Sequence, residues 1–140
     1  MLFVRPLILM SYDMYFWRQT KDLQIRPEQI VDRLAKDTPL DGVAAFPRTR
    51  VREVFRKAFP DITDGDADLD WEGAGSYFQV GFGHATERDV HMIVVTCGHS
   101  LLKSEETMNR IIDACCSLGC ALYDPQTGQR YEQPEAKAEV

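Results

Sequence analysis

The stretch that decides the fold runs from residue 61 to residue 83 and reads DITDGDADLDWEGAGSYFQVGFG. Its second half predicts two short strands, Leu69 to Glu72 and Ser76 to Gly83, separated by a glycine-containing turn. A third strand is predicted from Val90 to Cys97, after the polar turn of residues 84–89. Strands joined by such short turns indicate an antiparallel meander. The third is apolar almost throughout, which predicts a central strand covered on both faces.

Two helices and one strand are predicted before the meander. From Thr49 to Phe59 the apolar residues recur at the spacing of one helix face, and Pro60 ends the pattern. A shorter stripe from Glu28 to Lys36 follows Pro27, which suits the first turn of a helix. The aromatic run of residues 12–17, YDMYFW, predicts the first strand. Its alternation assigns Tyr12, Met14 and Phe16 to one face and Asp13, Tyr15 and Trp17 to the other.

One helix and one strand are predicted after the meander. Ser104 and the two acids that follow it are typical of a helix start, and Gly119 is typical of a helix end. A last short strand covers residues 120–123, CALY. The sequence therefore predicts an α+β fold in a single domain, a mainly antiparallel sheet of about five strands with three helices. The predicted order is β-α-α-β-β-β-α-β, with the helices on one face of the sheet.

The domain is predicted to span residues 10–131. Residues 1–9 are interpreted as an upstream-start extension, because Met10 begins a plausible initiation sequence, Met-Ser-Tyr-Asp. Residues 132–140 are polar and are expected to form a flexible tail.

Composition limits the classes of partner. The chain has 44% hydrophobic and 27% charged residues, as soluble globular domains do, and a net charge of −6 at pH 7. Nucleic acids and anionic membranes require a basic surface, so neither is expected as a partner. An acidic protein favours encounter with a basic protein partner instead.

The first half of the deciding stretch is an acidic strip with six carboxylates in twelve residues and no Lys or Arg. A calcium-binding EF-hand loop is excluded by its register: counted from Asp64, positions 6 and 12 are Leu69 and Gly75 rather than Gly and Glu. The strip is therefore either a solvated loop or a docking surface. The predicted partner-binding residues are Asp61, Asp64, Asp66, Asp68, Asp70, Trp71 and Glu72. Other aromatic candidates for a binding face are Tyr15, Trp17 and Tyr77.

Cysteines and histidines leave other chemistries open. The four cysteines are interpreted as reduced core thiols, which favours a cytoplasmic location. A metal site or a Cys–His or Asp–His catalytic pair would have to draw on His84, His91 or His99, and none of them lies in a recognisable motif. No cofactor, metal site or catalytic residue is predicted. A small enzyme that uses histidine and carboxylate groups remains the alternative function, and a structural or regulatory protein is the third.

Three segments taken together carry a resemblance: YDMYFW at residues 12–17, DWEG at 70–73 and LYDPQTG at 122–128. They resemble small bacterial proteins similar to the immunity proteins of polymorphic-toxin and contact-dependent inhibition systems. The resemblance implies a single cytosolic domain that binds and neutralises a cognate toxin. It implies no catalytic residue. The expected function is therefore that of an immunity-like inhibitor, which occludes a toxin through an acidic and aromatic surface that would fit a basic toxin.

Overall fold

The computed structural model describes residues 11–38, 40–65, 68–73, 75–83, 85–125 and 128–131, so the predictions for residues 1–9 and 132–140 lie outside the described residues. The α+β fold and the order of its main elements are confirmed. The helices are α1 (Pro27–Ala35), α2 (Arg48–Ala58), α3 (Glu105–Cys116) and a 3₁₀ helix, His99–Lys103. The strands are β1 (Ser11–Gln19), β2 (Val43–Ala44), β3 (Phe46–Pro47), β4 (Thr63–Asp64), β5 (Leu69–Gly73), β6 (Ser76–Gly83), β7 (Asp89–Val90), β8 (Met92–Gly98), β9 (Ala121–Asp124) and β10 (Gln129–Tyr131).

Among the described residues, eight strands form one antiparallel sheet. Its order is β10-β9-β1-β8-β6-β5-β4, and β2 pairs with the end of β1. The predicted meander is β5-β6-β8, and β8 lies centrally between β6 and β1. The strands that the sequence did not predict are β2, β3, β4, β7 and β10. Each has only two or three residues, which is too few for an alternating pattern to be recognised.

The predicted third strand is divided at His91. Asp89 and Val90 pair with Pro47 and Phe46 in a separate two-stranded sheet, whereas β8 begins at Met92. The continuous apolar run did not reveal this break, because pairing with β3 depends on a segment more than 40 residues earlier in the chain.

The main core lies between the sheet and the helices α2 and α3. Val51 and Phe55 of α2 and Ile111 of α3 are fully buried there. The guanidinium of Arg110 joins the two helices, since it donates to the Ala58 carbonyl and lies 4.3 Å from the centre of the Phe59 ring. The predicted end of α3 is confirmed by Gly119, whose φ of 85° is the left-handed conformation that glycine adopts readily.

The expected start of α3 differs in one detail. Ser104 directly precedes the helix, but its hydroxyl donates to the Thr107 hydroxyl at 2.8 Å rather than accepting from a backbone amide. The acids of the first turn, Glu105 and Glu106, still complement the positive end of the helix dipole.

A second core forms on the opposite face of the sheet. Ile30 and Leu34 of α1 pack there against Trp17, Met92 and Tyr123. The prediction that all helices lie on one face is therefore wrong for α1. The reason is that β1, β8 and β9 carry large apolar residues on both faces, and each face needs a cover. Because α1 has only nine residues, it covers one end of this face, and no other helix of the described residues covers the other end, which we call the open end.

Candidate functional site

The acidic strip is divided by internal ion pairs. Asp64 lies in β4 and forms ion pairs with two arginines of α2: Arg52 Nε lies 3.0 Å from its Oδ1, and Arg56 donates a hydrogen bond to its Oδ2. Arg52 also donates to the Gly65 carbonyl at 3.2 Å. The arginines of α2 and the acidic strip therefore partly neutralise each other. Asp64 holds α2 against the hairpin and is poorly placed for a partner.

Among the other described acids of the strip, Asp61, Asp70 and Glu72 are exposed and Asp68 is partly buried. Asp68 accepts from the Gln79 side-chain amide at 2.9 Å, and Asp70 and Glu72 project from β5 with exposed side chains. Asp66 lies outside the described residues. At the sheet edge, a pocket of about 440 Å³ is lined by Asp61, Thr63, Asp70, Trp71 and Glu72.

Trp71 lies on the face opposite Asp70 and Glu72. Its ring stacks on Phe78, with centroids 5.2 Å apart, and meets the edge of Phe59 at the same distance. The indole also covers Gly73, where a Cβ would lie only 2.6 Å from the ring carbons. Trp71 is therefore a partly buried residue packed against the main core, and it also lines the pocket at the sheet edge. Trp17, another aromatic candidate, is fully buried in the second core.

The open end of the sheet carries an acidic face. We define it as the outward residues of four neighbouring strands: Asp13 on β1, Asp70 and Glu72 on β5, Tyr77 and Gln79 on β6, and Thr96 on β8. Strand register brings Asp13, Thr96, Gln79 and Asp70 into one row across the sheet. Thr96 donates to Asp13 at 2.8 Å. Among the described residues of β1, β5, β6 and β8, no Lys or Arg projects from this face.

Sequence reasoning missed Asp13 and Gln79 as members of this surface. The alternation in YDMYFW correctly assigned Asp13 to the face opposite Met14 and Phe16. What it could not supply was the strand order, which places Asp13 in the same row as Asp70, with β8 and β6 between them, although the strip begins almost 50 residues later. Tyr77 was a candidate and is the exposed aromatic residue of the face, with 43% of its surface accessible. Its ring lies over Gly98, where a Cβ would meet the ring at 2.8 Å.

Beside the acidic face, a cleft opens between α1 and the sheet, and its lining is mainly apolar but includes Asp37. We call it the α1 cleft. Its volume is about 460 Å³, and its floor includes Tyr15 and Val94, directly opposite each other on β1 and β8. Val31 and Ala35 of α1 form one wall. Burial and the neighbouring Asp13 carboxylate both raise the pKa of the Tyr15 phenol, so the hydroxyl stays protonated at neutral pH.

A second concavity of about 650 Å³ lies between α2 and α3 on the other side of the molecule. Its apolar lining comes from Val54, Ala58 and Ala114. Cations and anions alternate around it: Arg50, Lys57 and Arg110 against Glu53 and Asp113. Its charge therefore selects no class of ligand.

Thiol and imidazole groups do not converge with the acidic face. Burial raises the pKa of Cys97 and of Cys120 to about 12, and it raises the pKa of Cys115 as well. These thiols stay protonated at neutral pH, whereas a cysteine nucleophile needs a thiolate. His91 is partly buried before β8, His99 is exposed in the 3₁₀ helix, and His84 lies outside the described residues. Within the ranges that the structure describes, no three His, Cys, Asp or Glu side chains are grouped to hold a metal ion.

None of the helices in the described residues has the length and apolar character needed to cross a membrane. Comparisons of the chain with protein-family models, with curated proteins and with solved structures found no match.

Proposed function

We propose that this chain is a protein-binding domain that docks a basic protein partner on the acidic face. The observation that carries the proposal is the uncompensated charge of that face. Asp13, Asp70 and Glu72 project together from the open end of the sheet, and no Lys or Arg projects beside them from the described residues of its four strands. Such a field attracts a basic surface and raises the rate of productive encounter.

The shape of the face supports a macromolecular partner. It is an open sheet surface with an exposed tyrosine, and the two neighbouring concavities lie at its borders. Small ligands bind instead in clefts that enclose most of their surface. An exposed aromatic side chain surrounded by charge is a frequent anchor of protein interfaces. Nucleic acid and anionic membranes remain unsuitable partners, because their phosphates would be repelled by the same carboxylates.

Within this class, the proposed role is that of an immunity-like inhibitor, which occludes a cognate toxin by covering its basic active surface. The resemblance of residues 12–17, 70–73 and 122–128 to immunity proteins supports the role. The proposed location is the cytoplasm, and the four cysteines support it, because none of them is in a disulfide and disulfides are rare there.

The test compares two variants with the same change in net charge. The face variant carries Asp13→Asn, Asp70→Asn and Glu72→Gln. The control carries three equivalent substitutions at exposed acids away from the face, Asp22→Asn, Glu87→Gln and Asp113→Asn. The ligand is the purified product of the neighbouring gene. Association is followed by stopped-flow fluorescence at about 20 mM and about 500 mM salt, since the Debye length falls from more than 20 Å to less than 5 Å over this range.

We expect the face variant to associate roughly tenfold more slowly at low salt, with a flatter salt dependence, and the control to change by less than about threefold. Growth of cells that produce the neighbouring protein provides the second readout: the wild-type chain should restore growth and the face variant should do so less well. Equal rates for the face variant and the control would contradict the proposal. So would a partner that associates at the same rate at both salt concentrations.

A further inference from the structure

The α1 cleft and the acidic face form one continuous surface, and strand register fixes their spacing. Tyr15, Val94 and Gly81 lie side by side on β1, β8 and β6, at the border of the cleft. The row of Asp13, Thr96, Gln79 and Asp70 lies two residues further along the strands from these three residues. Since a strand rises about 3.3 Å per residue, the acidic row lies about 7 Å from the cleft.

A further step of about 7 Å reaches a third row. It contains Glu72 of β5, which pairs with Tyr77 of β6, and Gly98 of β8, over which the Tyr77 ring lies. The Tyr77 ring and the Glu72 carboxylate are both exposed in this row. A cation placed there would meet an aromatic ring and a negative charge together, which is the environment that a Lys or Arg side chain prefers.

Gly81 keeps the border of the cleft open. A Cβ at this position would meet a single neighbouring atom, the Val94 carbonyl oxygen, at 3.9 Å, and its φ lies outside the range that favours glycine. Neither internal packing nor backbone conformation therefore requires glycine at residue 81. Its absent side chain leaves room above the sheet between the cleft and the acidic row.

We propose that the α1 cleft binds an apolar side chain of the basic partner, carried on an extended segment that has Lys or Arg two and four residues away from it. This inference rests on the proposed function. In an extended chain, residues i, i+2 and i+4 project from the same side at steps of about 7 Å, the spacing of the three rows. The cleft volume of about 460 Å³ lies within the usual range for small-ligand sites and accommodates a side chain as large as Leu or Phe. The rows beyond it are acidic, so charge complementarity selects the flanking cations.

Two synthetic peptides with the same composition test the spacing. The in-register peptide is Ser-Leu-Thr-Lys-Thr-Lys-Gly, and the shifted peptide is Ser-Thr-Leu-Lys-Thr-Lys-Gly, in which the leucine would project away from the cleft. Each carries a fluorescent label, and binding to the full chain is measured by anisotropy at low salt. We expect the in-register peptide to bind roughly tenfold more tightly, since a buried leucine contributes at least that factor.

Two protein variants test the place of binding. Gly81→Val fills the border of the cleft, and Ala35→Leu covers it from an exposed position of α1. Ala45→Leu, at an exposed alanine outside the cleft, is the matched control. Either cleft variant should bring the affinities for the two peptides to within about twofold of each other, and the control should preserve the tenfold difference. Urea unfolding confirms that each variant is folded, and if Gly81→Val is not, Ala35→Leu decides alone.

The outcomes separate this inference from the proposed function. Equal binding of both peptides to the wild-type chain, weakened by the variant that neutralises Asp13, Asp70 and Glu72, would overturn the role of the cleft and leave the acidic face as a docking surface. No binding of the in-register peptide at about 1 mM would also overturn it, because the anchor and two cations should together exceed that affinity. Failure of the same charge variant to slow association with the neighbouring gene product would instead remove the proposed function.

Discussion

Replacing Trp71 by alanine should lower the free energy of unfolding by about 2–4 kcal/mol. A fully buried Trp or Phe costs about 3–5 kcal/mol when it is truncated to alanine. Trp71 is only partly buried, which reduces this cost, but it loses two ring contacts, with Phe59 and Phe78, that contribute about 0.5–1.5 kcal/mol each. Urea unfolding followed by circular dichroism should show the midpoint falling by roughly 1–2 M, for a denaturant dependence of about 2 kcal/mol per M.

Tyr77→Ala is the matched control for this measurement. Tyr77 lies on the neighbouring strand, pairs with Glu72 and is 43% exposed on the opposite face. Its loss should change the free energy of unfolding by less than about 1 kcal/mol and should weaken partner binding. If Trp71→Ala left the urea midpoint unchanged and raised the dissociation rate of the partner, Trp71 would be an interface anchor rather than part of the core.

The remaining predictions concern the ion pairs, the thiols, the pH dependence and the N-terminal segment. Asp64→Asn should lower the free energy of unfolding by about 1 kcal/mol, because two arginines lose a partly buried partner, whereas Asp70→Asn should change it by less than about 0.5 kcal/mol. Equal changes for the two variants in urea unfolding would contradict the division of the acidic strip. Thiol reagents should label the buried Cys97, Cys115 and Cys120 slowly in the folded chain and fast in the denatured chain, whereas the partly buried Cys116 should react sooner. Stoichiometric zinc or an internal disulfide would refute this. Burial raises the pKa of Cys97 from 9.0 to about 12, so between these values the folded state keeps a proton that the unfolded state loses. The contribution of this thiol to the free energy of unfolding is therefore full below about pH 9 and should fall as the pH rises toward 12. The fall should be less steep for Cys97→Ala. Deleting residues 1–9 should cost little stability, and a loss of several kcal/mol in thermal unfolding would show that they pack into the fold.

Local pattern was sufficient to predict the main elements. The alternation in β1 correctly separated Met14 and Phe16 from Tyr15 and Trp17, because a strand side chain has only two directions available. The apolar spacing of α2 and the glycine that ends α3 were equally local signals, and both are confirmed. Such signals predict the structure correctly because they depend only on residues that are close together in the sequence.

Strand order and helix placement depended on contacts that no local pattern carries. The apolar stripe of α1 predicts that the helix is covered, but not which face of the sheet covers it. The two-residue strands β3 and β7 exist only because they pair with each other across the fold. These features are set by tertiary packing, which overrides local preference in short segments.

For the candidate site, the sequence predicted the acidic residues but not their separate roles. Asp64 and Asp70 look equivalent in the strip, yet one is bound by Arg52 and Arg56 and the other is exposed. The difference arises because Asp64 pairs with Leu69 and lies on the face that α2 covers, whereas Asp70 pairs with Thr63 and lies on the opposite face. Asp13 entered the acidic face only through the order β1-β8-β6-β5.

The shortness of β4 also affects how the chain can associate with other molecules. β4 forms one border of the sheet and has two residues, Thr63 and Asp64, flanked by the exposed acid Asp61. Fibrils and strand-swapped aggregates grow by adding a new strand to a long, flat, uncharged border. A two-residue border beside carboxylates offers too few backbone hydrogen bonds and repels a second copy. At high concentration this border should therefore resist aggregation, even though the acidic face next to it stays free for a partner of opposite charge.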